Sequence, residues 1–261
     1  MQIAVVGQGY VGLPLAIAAS TAGYTVFGLD NNQEKINALS SGKSIIEDLS
    51  DQVIKQNIES KCYLPTTDSS VIKDSDVVLI CVPTPLSDDH KPDLTALTGA
   101  IATVGKNLTA GSLVIVESTI EPGTCRNKLL PILIKESGLK EGEFELAYSP
   151  ERIDPTNKTW QINNTPKLVA GLTEAAAKRA KEFYSKFIDS IIFCSSLEIA
   201  ETAKLLENSF RLINISFINE LAIYCQKIGI DIAEVITAAA TKPYGFMPFY
   251  PSIGVGGHCI P

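Results

Sequence analysis

Short apolar runs alternate with helical patterns over residues 1–195. The run "QIAVV" at 2–6 shows no polar alternation, as expected of a strand that is covered on both faces. Similar runs predict strands at 24–29, 76–82, 113–116, 144–148, 168–170 and 191–194. Helical periodicity predicts helices at 13–22, 33–40, 49–59, 95–108, 124–137 and 173–187. Strands that alternate with helices predict an α/β domain with a doubly wound sheet.

The pattern changes after residue 195. The segment 195–229 contains no proline, and its only glycine is Gly229, which suits the position after a helix end. Ser195 and Glu198 have the spacing of a capping box. We therefore predict one helix over 196–228, roughly 33 residues and about 50 Å long. Its second half is apolar on more than one side, which predicts burial in a homodimer interface or against a further domain.

A shorter helix is predicted at 232–239, before a tail rich in glycine and proline. Residues 196–261 are therefore interpreted as a central helical and dimerisation region, which follows a first domain at 1–195.

Composition narrows the function classes. The chain of 261 residues has a net charge of −7 and no basic cluster, which argues against nucleic-acid binding. No apolar run approaches the ~20 residues of a membrane helix, and the N-terminus lacks signal-peptide features, so no membrane partner is expected. The six cysteines are scattered and only two histidines are present, too few ligands for a zinc site. We expect no metal, reduced thiols and a cytoplasmic location.

A glycine motif follows the first predicted strand and opens a helix. It reads Gly7-Gln-Gly-Tyr10-Val11-Gly12, with Gly9 in its middle. In a Rossmann-like domain such glycines allow a tight turn, a close approach of a pyrophosphate and close helix–strand packing. The N-terminus of the helix then offers N–H groups to the phosphates.

Asp30 ends the second predicted strand, near the spacing of the acid that binds the adenosine ribose. Asn31 and Asn32 follow, and no arginine stands ready for a 2′-phosphate, so NAD is favoured over NADP. Lys35 is either a further contact at the ribose edge or an ordinary solvated lysine.

Two more segments follow strand ends, where ligands bind in such sheets. "CVPTP" contains Pro83 and Thr84, and "ESTIEPGT" contains Ser118 and Thr119. We predict that these residues line the cofactor cleft, although each also suits a turn or a helix cap.

Three groups of residues offer chemistry. Lys204, Asn208 and Arg211 share one face of the long helix, either as a solvated stripe or as donors to an oxyanion. In "SPERID", Glu151 is a candidate general base, and Arg152 could pair with it or hold a substrate anion. The alternative is an ordinary charged loop.

Cys259 lies among glycines in "GVGGHCIP" and is a candidate nucleophile. A cationic neighbour such as Lys204 would favour its thiolate.

The order GxGYVG, CVPTP, EST…PGT, SPE, K-x-x-x-N and GxGGHCxP resembles the UDP-glucose/GDP-mannose dehydrogenase family of NAD-dependent nucleotide-sugar 6-dehydrogenases. The resemblance implies a four-electron oxidation of a sugar C6 alcohol to a carboxylate with two NAD+. It implies that Cys259 forms a thiohemiacetal and then a thioester, that Lys204 and Asn208 stabilise oxyanions, and that Glu151 and Thr119 place or activate water. Arg152, Ile153, Lys204, Asn208 and Arg211 are the expected substrate contacts.

Three segments, "SPERIDPTNKTW", "ENSFR" and "ATKPYGFMPFYP", resemble the branch that acts on UDP-N-acetylhexosamines, with UDP-GlcNAc or UDP-GalNAc favoured over UDP-ManNAc. Family members continue with an Asp-Pro and a second α/β domain that holds UDP. Because the sequence stops at Pro261, we expect this chain alone to bind NAD without turning over sugar.

Two alternatives stay open. A two-electron β-hydroxyacid dehydrogenase also combines a Rossmann domain with a helical region that carries a lysine and an asparagine, but it needs no cysteine. A non-catalytic NAD-binding dimerisation module is the other.

Overall fold

The structure is a computed structural model, and it describes residues 1–87, 89–153, 157 and 159–252. The chain divides into two compact units, Met1–Thr202 and Ala203–Pro261.

The first unit is built on a sheet that has eight strands in the described part of the chain. The strands are β1 (Gln2–Val6), β2 (Thr25–Leu29), β3 (Tyr63–Thr66), β4 (Val77–Ile80), β5 (Leu113–Val116), β6 (Glu145–Tyr148), β7 (Lys167–Gly171) and β8 (Ile191–Phe193). Their spatial order is β3-β2-β1-β4-β5-β6-β7-β8. The first six strands have the order of the dinucleotide-binding Rossmann fold, so the predicted fold class is confirmed.

One pair of strands departs from the parallel arrangement. β6 and β7 are antiparallel, with Ala147 opposite Gly171 and Tyr148 opposite Ala170. β8 then pairs with β7 in parallel. The reversal places the start of β7 beside the carboxyl end of β6.

Helices cover both faces of the sheet. They are α1 (Gly12–Thr21), α2 (Gln33–Ser40), α3 (Asp51–Glu59), α4 (Thr95–Asn107), α5 (Leu130–Ser137) and α6 (Glu174–Tyr184). Ile3 and Val5 of β1 belong to one apolar cluster, and Ala4 and Val6 belong to the other. Because successive side chains of a strand point to opposite faces, two covered faces explain the runs without polar alternation.

Three elements differ from the prediction, and one of them is a short 3₁₀ helix over Ser69–Asp74, where no element was predicted. β3 was not predicted, because Pro65 interrupts its short sequence; the strand lies at the edge of the sheet, where a missing N–H is tolerated. The helix predicted at 124–137 begins with a π-helical turn, Cys125–Leu129, and continues as α5. Pro131 has no N–H to give to the regular helical ladder, which accounts for the break.

The long helix α7 spans Leu197–Ile228, and α8 spans Ile232–Ala240. Gly229 follows α7 with a φ of 72°, in the left-handed conformation that glycine adopts readily, as predicted. The predicted cap at Ser195 is wrong: α7 begins at Leu197, and the hydroxyl of Ser196 accepts the N–H of Ile199 at 3.3 Å. Among the described helices, none is both long and apolar enough to cross a membrane.

Candidate cofactor and catalytic site

The loop between β1 and α1 has room for a side chain at only one of its three motif glycines. A Cβ on Gly7, where φ is 94°, would lie 2.6 Å from the carbonyl oxygen of Cys81. A Cβ on Gly12 would lie 1.9 Å from the carbonyl oxygen of Gly7. A Cβ on Gly9 would meet nothing within 4 Å. Two glycines therefore make the turn compact, and the third leaves open space beside the backbone.

The N-terminus of α1 is available to an anion. Val11 is the N-cap residue, and no described side chain caps this end of the helix. Tyr10, next to it, is 52% exposed. The N–H of Leu13 donates to the carbonyl oxygen of Gly9 at 3.0 Å and Pro14 has no N–H, so this end offers the N–H groups of Val11 and Gly12, which together with the open space at Gly9 fit a pyrophosphate.

The carboxylate of Asp30 is fixed at the end of β2. Its Oδ2 accepts the N–H of Gln8 at 2.8 Å, and its Oδ1 accepts the N–H of Asn32 at 2.9 Å. The ammonium of Lys35 lies 3.7 Å from Oδ2. Each carboxylate oxygen has a further lone pair, so Asp30 keeps acceptor capacity for two ribose hydroxyls.

Gln8, which the sequence analysis did not select, helps to hold this corner. Its side chain is buried, donates to the carbonyl oxygen of Val5 at 2.8 Å and accepts the hydroxyl of Tyr63 at 2.7 Å. Gln8 lies between the first two glycines of the motif, at a position where the motif accepts any residue, so the sequence carries no signal for this role.

The loops after β4 and β5 are tied together by two hydroxyls. Thr84 Oγ1 donates to the carbonyl oxygen of Thr119 at 2.7 Å, and Ser118 Oγ donates to that of Val82 at 2.7 Å. Pro83 is exposed, while Thr84 and Thr119 are half-buried. The structure thus brings the two predicted cleft segments side by side at the carboxyl edge of the sheet.

Glu117, Glu151 and Lys167 form a buried charge cluster at the same edge. Lys167 Nζ lies 2.7 Å from Glu117 Oε2 and 3.3 Å from Glu151 Oε2. The side chains of Glu117, Lys167 and Glu151 are 0%, 5% and 13% exposed. The hydroxyl of Tyr184 makes a short hydrogen bond to Glu117 Oε1. One ammonium therefore bridges two carboxylates.

Burial shifts the protonation equilibria of this cluster. It raises the pKa of Glu117 to about 7, an effect that the ammonium of Lys167 opposes. Burial by itself lowers the pKa of Lys167, but the two carboxylates hold that pKa above its ordinary value. Lys167 therefore stays charged at neutral pH, while Glu117 is close to its midpoint.

Glu151 is held from both sides. Its Oε1 accepts the N–H groups of Arg152 at 2.6 Å and Ile153 at 2.8 Å, while Oε2 faces Lys167. The guanidinium of Arg152 donates to the carbonyl oxygen of Pro166 at 2.7 Å. The predicted "SPERID" loop thus presents a fixed carboxylate at the carboxyl end of β6.

The remaining candidates lie in the second unit or outside the described residues. Lys204, Asn208 and Arg211 lie on α7, where Lys204 is buried, Asn208 is half-buried and Arg211 is exposed. Cys259 lies outside the described residues. In the single chain Leu206 and Phe210 are 67% and 46% exposed. They lie on a different stripe of the helix from Lys204.

Sequence reasoning also missed Glu117, Lys167 and Tyr184. Glu117 is the first residue of the recognised segment "ESTIEPGT", and Lys167 directly precedes the strand predicted at 168–170, but no spacing in the sequence links the two. Their meeting depends on the antiparallel β6–β7 pair.

The fold, the glycine loop and the oriented Asp30 define an NAD-binding protein of the Rossmann type. The chain belongs to the UDP-glucose/GDP-mannose dehydrogenase family. Residues 1–188 match the family's NAD binding domain, and residues 198–261 match its central domain. The family resemblance and the NAD cofactor predicted from the sequence are confirmed.

Three comparisons show where in the family the similarity is high. The chain is 40% identical over 263 residues to the UDP-N-acetyl-D-mannosamine dehydrogenase of Pyrococcus horikoshii, covering 100% of this chain and 62% of that protein. It is 40% identical over 262 residues to the UDP-N-acetyl-D-glucosamine 6-dehydrogenase of Pseudomonas aeruginosa, covering 100% and 61%. A solved structure of a UDP-D-ManNAc dehydrogenase from Pyrococcus horikoshii matches with a TM-score of 0.93 at 40% identity, over 100% of this chain and 62% of that one. The chain thus spans about three fifths of the length of these relatives.

Proposed function

We propose that the protein, at its full encoded length, oxidises the C6 alcohol of a UDP-N-acetylhexosamine to the carboxylate with NAD+. The observation that carries this proposal is the placement of Asp30 and Glu151 at one edge of a Rossmann sheet, in a chain that matches both family domains in order. The names of the similar proteins support the substrate class.

The first unit fits the cofactor. Gly7, Gly9 and Gly12, with Tyr10 and Val11, would hold the pyrophosphate. Asp30 and Lys35 would hold the adenosine ribose, and Pro83, Thr84, Ser118 and Thr119 would line the remainder of the cleft. When bound, NAD+ supplies the hydride acceptor.

The chain's own residues are proposed to do the rest. Cys259 is the nucleophile that carries the thiohemiacetal and thioester, and Lys204 and Asn208 donate to the oxyanions. Glu151 and Thr119 orient the hydrolytic water. Arg152, Ile153 and Arg211 are the further substrate contacts. In this proposal residues 1–195 bind NAD, and residues 196–261 provide the nucleophile and the dimer contact.

The decisive test counts NADH per sugar. We expect two NADH per UDP-sugar in the wild type and one in Cys259→Ser, with the aldehyde trapped by a hydrazine. Cys62→Ser is the matched control and keeps two. One NADH in the wild type would support the two-electron alternative, and unchanged stoichiometry in Cys259→Ser would contradict the thiol mechanism.

The same assay addresses the sugar. UDP-GlcNAc, UDP-GalNAc and UDP-ManNAc are compared by kcat/KM, and the sequence resemblance described above favours the first two. The similar proteins carry GlcNAc and ManNAc names at the same identity of 40%, so the assay decides between the epimers.

A second candidate function concerns dimerisation. Large apolar side chains of α7 are exposed in the single chain, among them Leu206, Phe210, Leu212, Ile213, Phe217, Ile223 and Tyr224. An apolar helix face of this extent favours a second copy of the chain as its cover. If the 261-residue chain binds NAD+ and dimerises but does not bind UDP-sugar, it acts as a cofactor and dimerisation module.

A further inference from the structure

The buried cluster at the carboxyl edge depends on the direction of β7. Tyr148 of β6 pairs with Ala170 of β7, and continuing this antiparallel register by three residues sets position 151 opposite position 167. The start of a parallel strand would lie at the far edge of the sheet. The reversal therefore delivers Lys167 to the end of β6, where Glu151 lies.

Lys167 is itself held in place by contacts on the side away from Glu151. Its ammonium lies 2.7 Å from Glu117 Oε2 and 5.1 Å from the centroid of the Tyr184 ring. Tyr184 ends α6 and packs against Phe183 and Phe187 at centroid distances of 4.8 and 5.9 Å. The ammonium thus has a fixed position, set by a carboxylate and a packed ring.

The front of the cluster borders a cavity. Glu151, Arg152 and Lys167 line it together with Ile162, Thr165, Pro166 and Ile188. With Oε1 on two main-chain N–H groups and Oε2 facing the ammonium, the Glu151 carboxylate has no freedom to rotate without losing charge-assisted hydrogen bonds.

We propose that Lys167 and Glu117 form a buried positioning pair that fixes the Glu151 carboxylate for its work on water. The proposal deepens the proposed function and rests on it for the role of Glu151. Lys167 and Glu117 are positioning residues, because their contacts reach the site through Glu151.

Among the residues that the structure describes, few other titratable groups face Glu117. They are Lys167 from β7, Glu151 from the loop after β6, Tyr184 from α6, Cys81 from the end of β4 and Tyr148 from β6. Burial raises the pKa of Cys81 and of Tyr184 well above their ordinary values, and it also raises that of Tyr148, so all three stay neutral near pH 7. The charge state of the cluster near neutrality is therefore set by the two glutamates and Lys167.

The first arm of the test needs no turnover. The 261-residue chain is labelled with ¹³Cδ-glutamate, and Glu117→Gln identifies the signal of Glu117 in an NMR pH titration. We expect a midpoint of about 7 in the wild type. The midpoint rises in Lys167→Met, because the opposing cation is gone, and falls in Glu151→Gln, because an anion is gone. Lys178→Met, an exposed lysine on α6, is the matched control and leaves it unchanged.

The second arm measures kcat and KM at the full encoded length. We expect Lys167→Met to lower kcat about 10–100-fold with little change in the KM for UDP-sugar, since a misplaced catalytic group costs rate rather than binding. Lys167→Arg restores most of the rate, because the charge returns. If Lys167→Met does not fold, Tyr184→Phe and Lys167→Arg replace it in both measurements. The midpoint of Glu117 and kcat are then expected to change in the same direction as in Lys167→Met, by smaller amounts.

The two arms separate this proposal from the proposed function. A wild type without turnover contradicts the function, and the NMR arm still decides whether the three charges are coupled. If the Glu117 midpoint is the same in Glu151→Gln as in the wild type, the proposal of a positioning pair is overturned. It is also overturned by a wild type with turnover whose kcat is unchanged in Lys167→Met.

Discussion

The glycines at residues 7, 9 and 12 differ in whether the structure has room for the methyl group of an alanine. At Gly7 and Gly12 the neighbouring atoms are main-chain carbonyls of the protein itself, at 2.6 and 1.9 Å from a Cβ. At Gly9 the described protein leaves the space open. Gly7 and Gly12 are therefore required for folding, and Gly9 is required by whatever occupies the space in front of it.

This difference predicts opposite outcomes for two alanine variants. Gly12→Ala is expected to lower the free energy of unfolding by roughly 1–3 kcal/mol, as overpacking does. Gly9→Ala is expected to change it by less than about 0.5 kcal/mol, as a substitution without new contacts does. Yet it should weaken NAD+ binding at least about tenfold, a loss of ~1.4 kcal/mol, because the methyl group occupies the pyrophosphate space.

Urea unfolding and titration calorimetry on the 261-residue chain check both statements. Wild-type NAD+ affinity in Gly9→Ala would show that the pyrophosphate lies elsewhere. A fully stable Gly12→Ala would show that the turn can relax.

At the residue scale, the sequence identified side chains that act through a local pattern. Gly7, Gly12 and Asp30 could be predicted because motif and spacing are read along the chain. Gln8 and Lys167 could not, because their partners Tyr63 and Glu117 are distant in sequence and only the fold brings them together.

At the element scale, the start of α7 is joined to the π-helical turn that follows β5. The buried carboxylate of Glu201 accepts the N–H of Gly123 at 2.6 Å on Oε2 and that of Cys125 at 3.0 Å on Oε1. A side chain on α7 thereby caps the first turn of another helical segment within the first unit.

Glu201→Gln is therefore expected to destabilise the first unit by about 1–3 kcal/mol. The amide keeps one acceptor oxygen and turns an NH2 group toward a buried N–H, which is then left unsatisfied. Glu198→Gln, three residues earlier, is the matched control: its pair with Arg126 at 2.8 Å is partly exposed, so the loss should stay below about 1 kcal/mol. Thermal and urea unfolding of the two variants give the comparison; equal losses would contradict the buried capping role.

Most elements of the first unit could be predicted from periodicity, because two covered faces give continuous apolar runs. The exceptions have physical reasons. β3 contains a proline that only an edge strand tolerates, and the π-helical turn reflects the missing N–H of Pro131. The direction of β7 leaves no mark in its own five residues, since an apolar run reads alike in parallel and antiparallel pairs.

At the scale of the whole molecule, the apolar face of α7 predicts association. We expect the chain to sediment as a dimer at micromolar concentration. Ile213 and Phe217, which are 65% and 63% exposed in the single chain, are expected to lie within the interface. The double variant Ile213→Glu, Phe217→Glu should be monomeric, because two buried carboxylates would face an apolar surface.

Ile192→Glu is the control, because Ile192 is an exposed isoleucine on β8 of the first unit. It should remain dimeric. A monomeric wild type, or a double variant that still dimerises, would contradict the interface in sedimentation equilibrium.

The antiparallel β6–β7 pair also determines where the segment between these strands can change in length. The two ends of the segment between these strands are joined by two contacts: Arg152 donates to the carbonyl oxygen of Pro166, and Glu151 faces Lys167. The returning part of this segment is also held in place, because Ile162 packs against the core and the carbonyl oxygen of Asn163 accepts the N–H of Asp189 at 2.8 Å. A change of length is therefore expected to be tolerated only where it leaves Ile162 and Asn163 in these contacts, since they return the chain to the charges at the base of the segment.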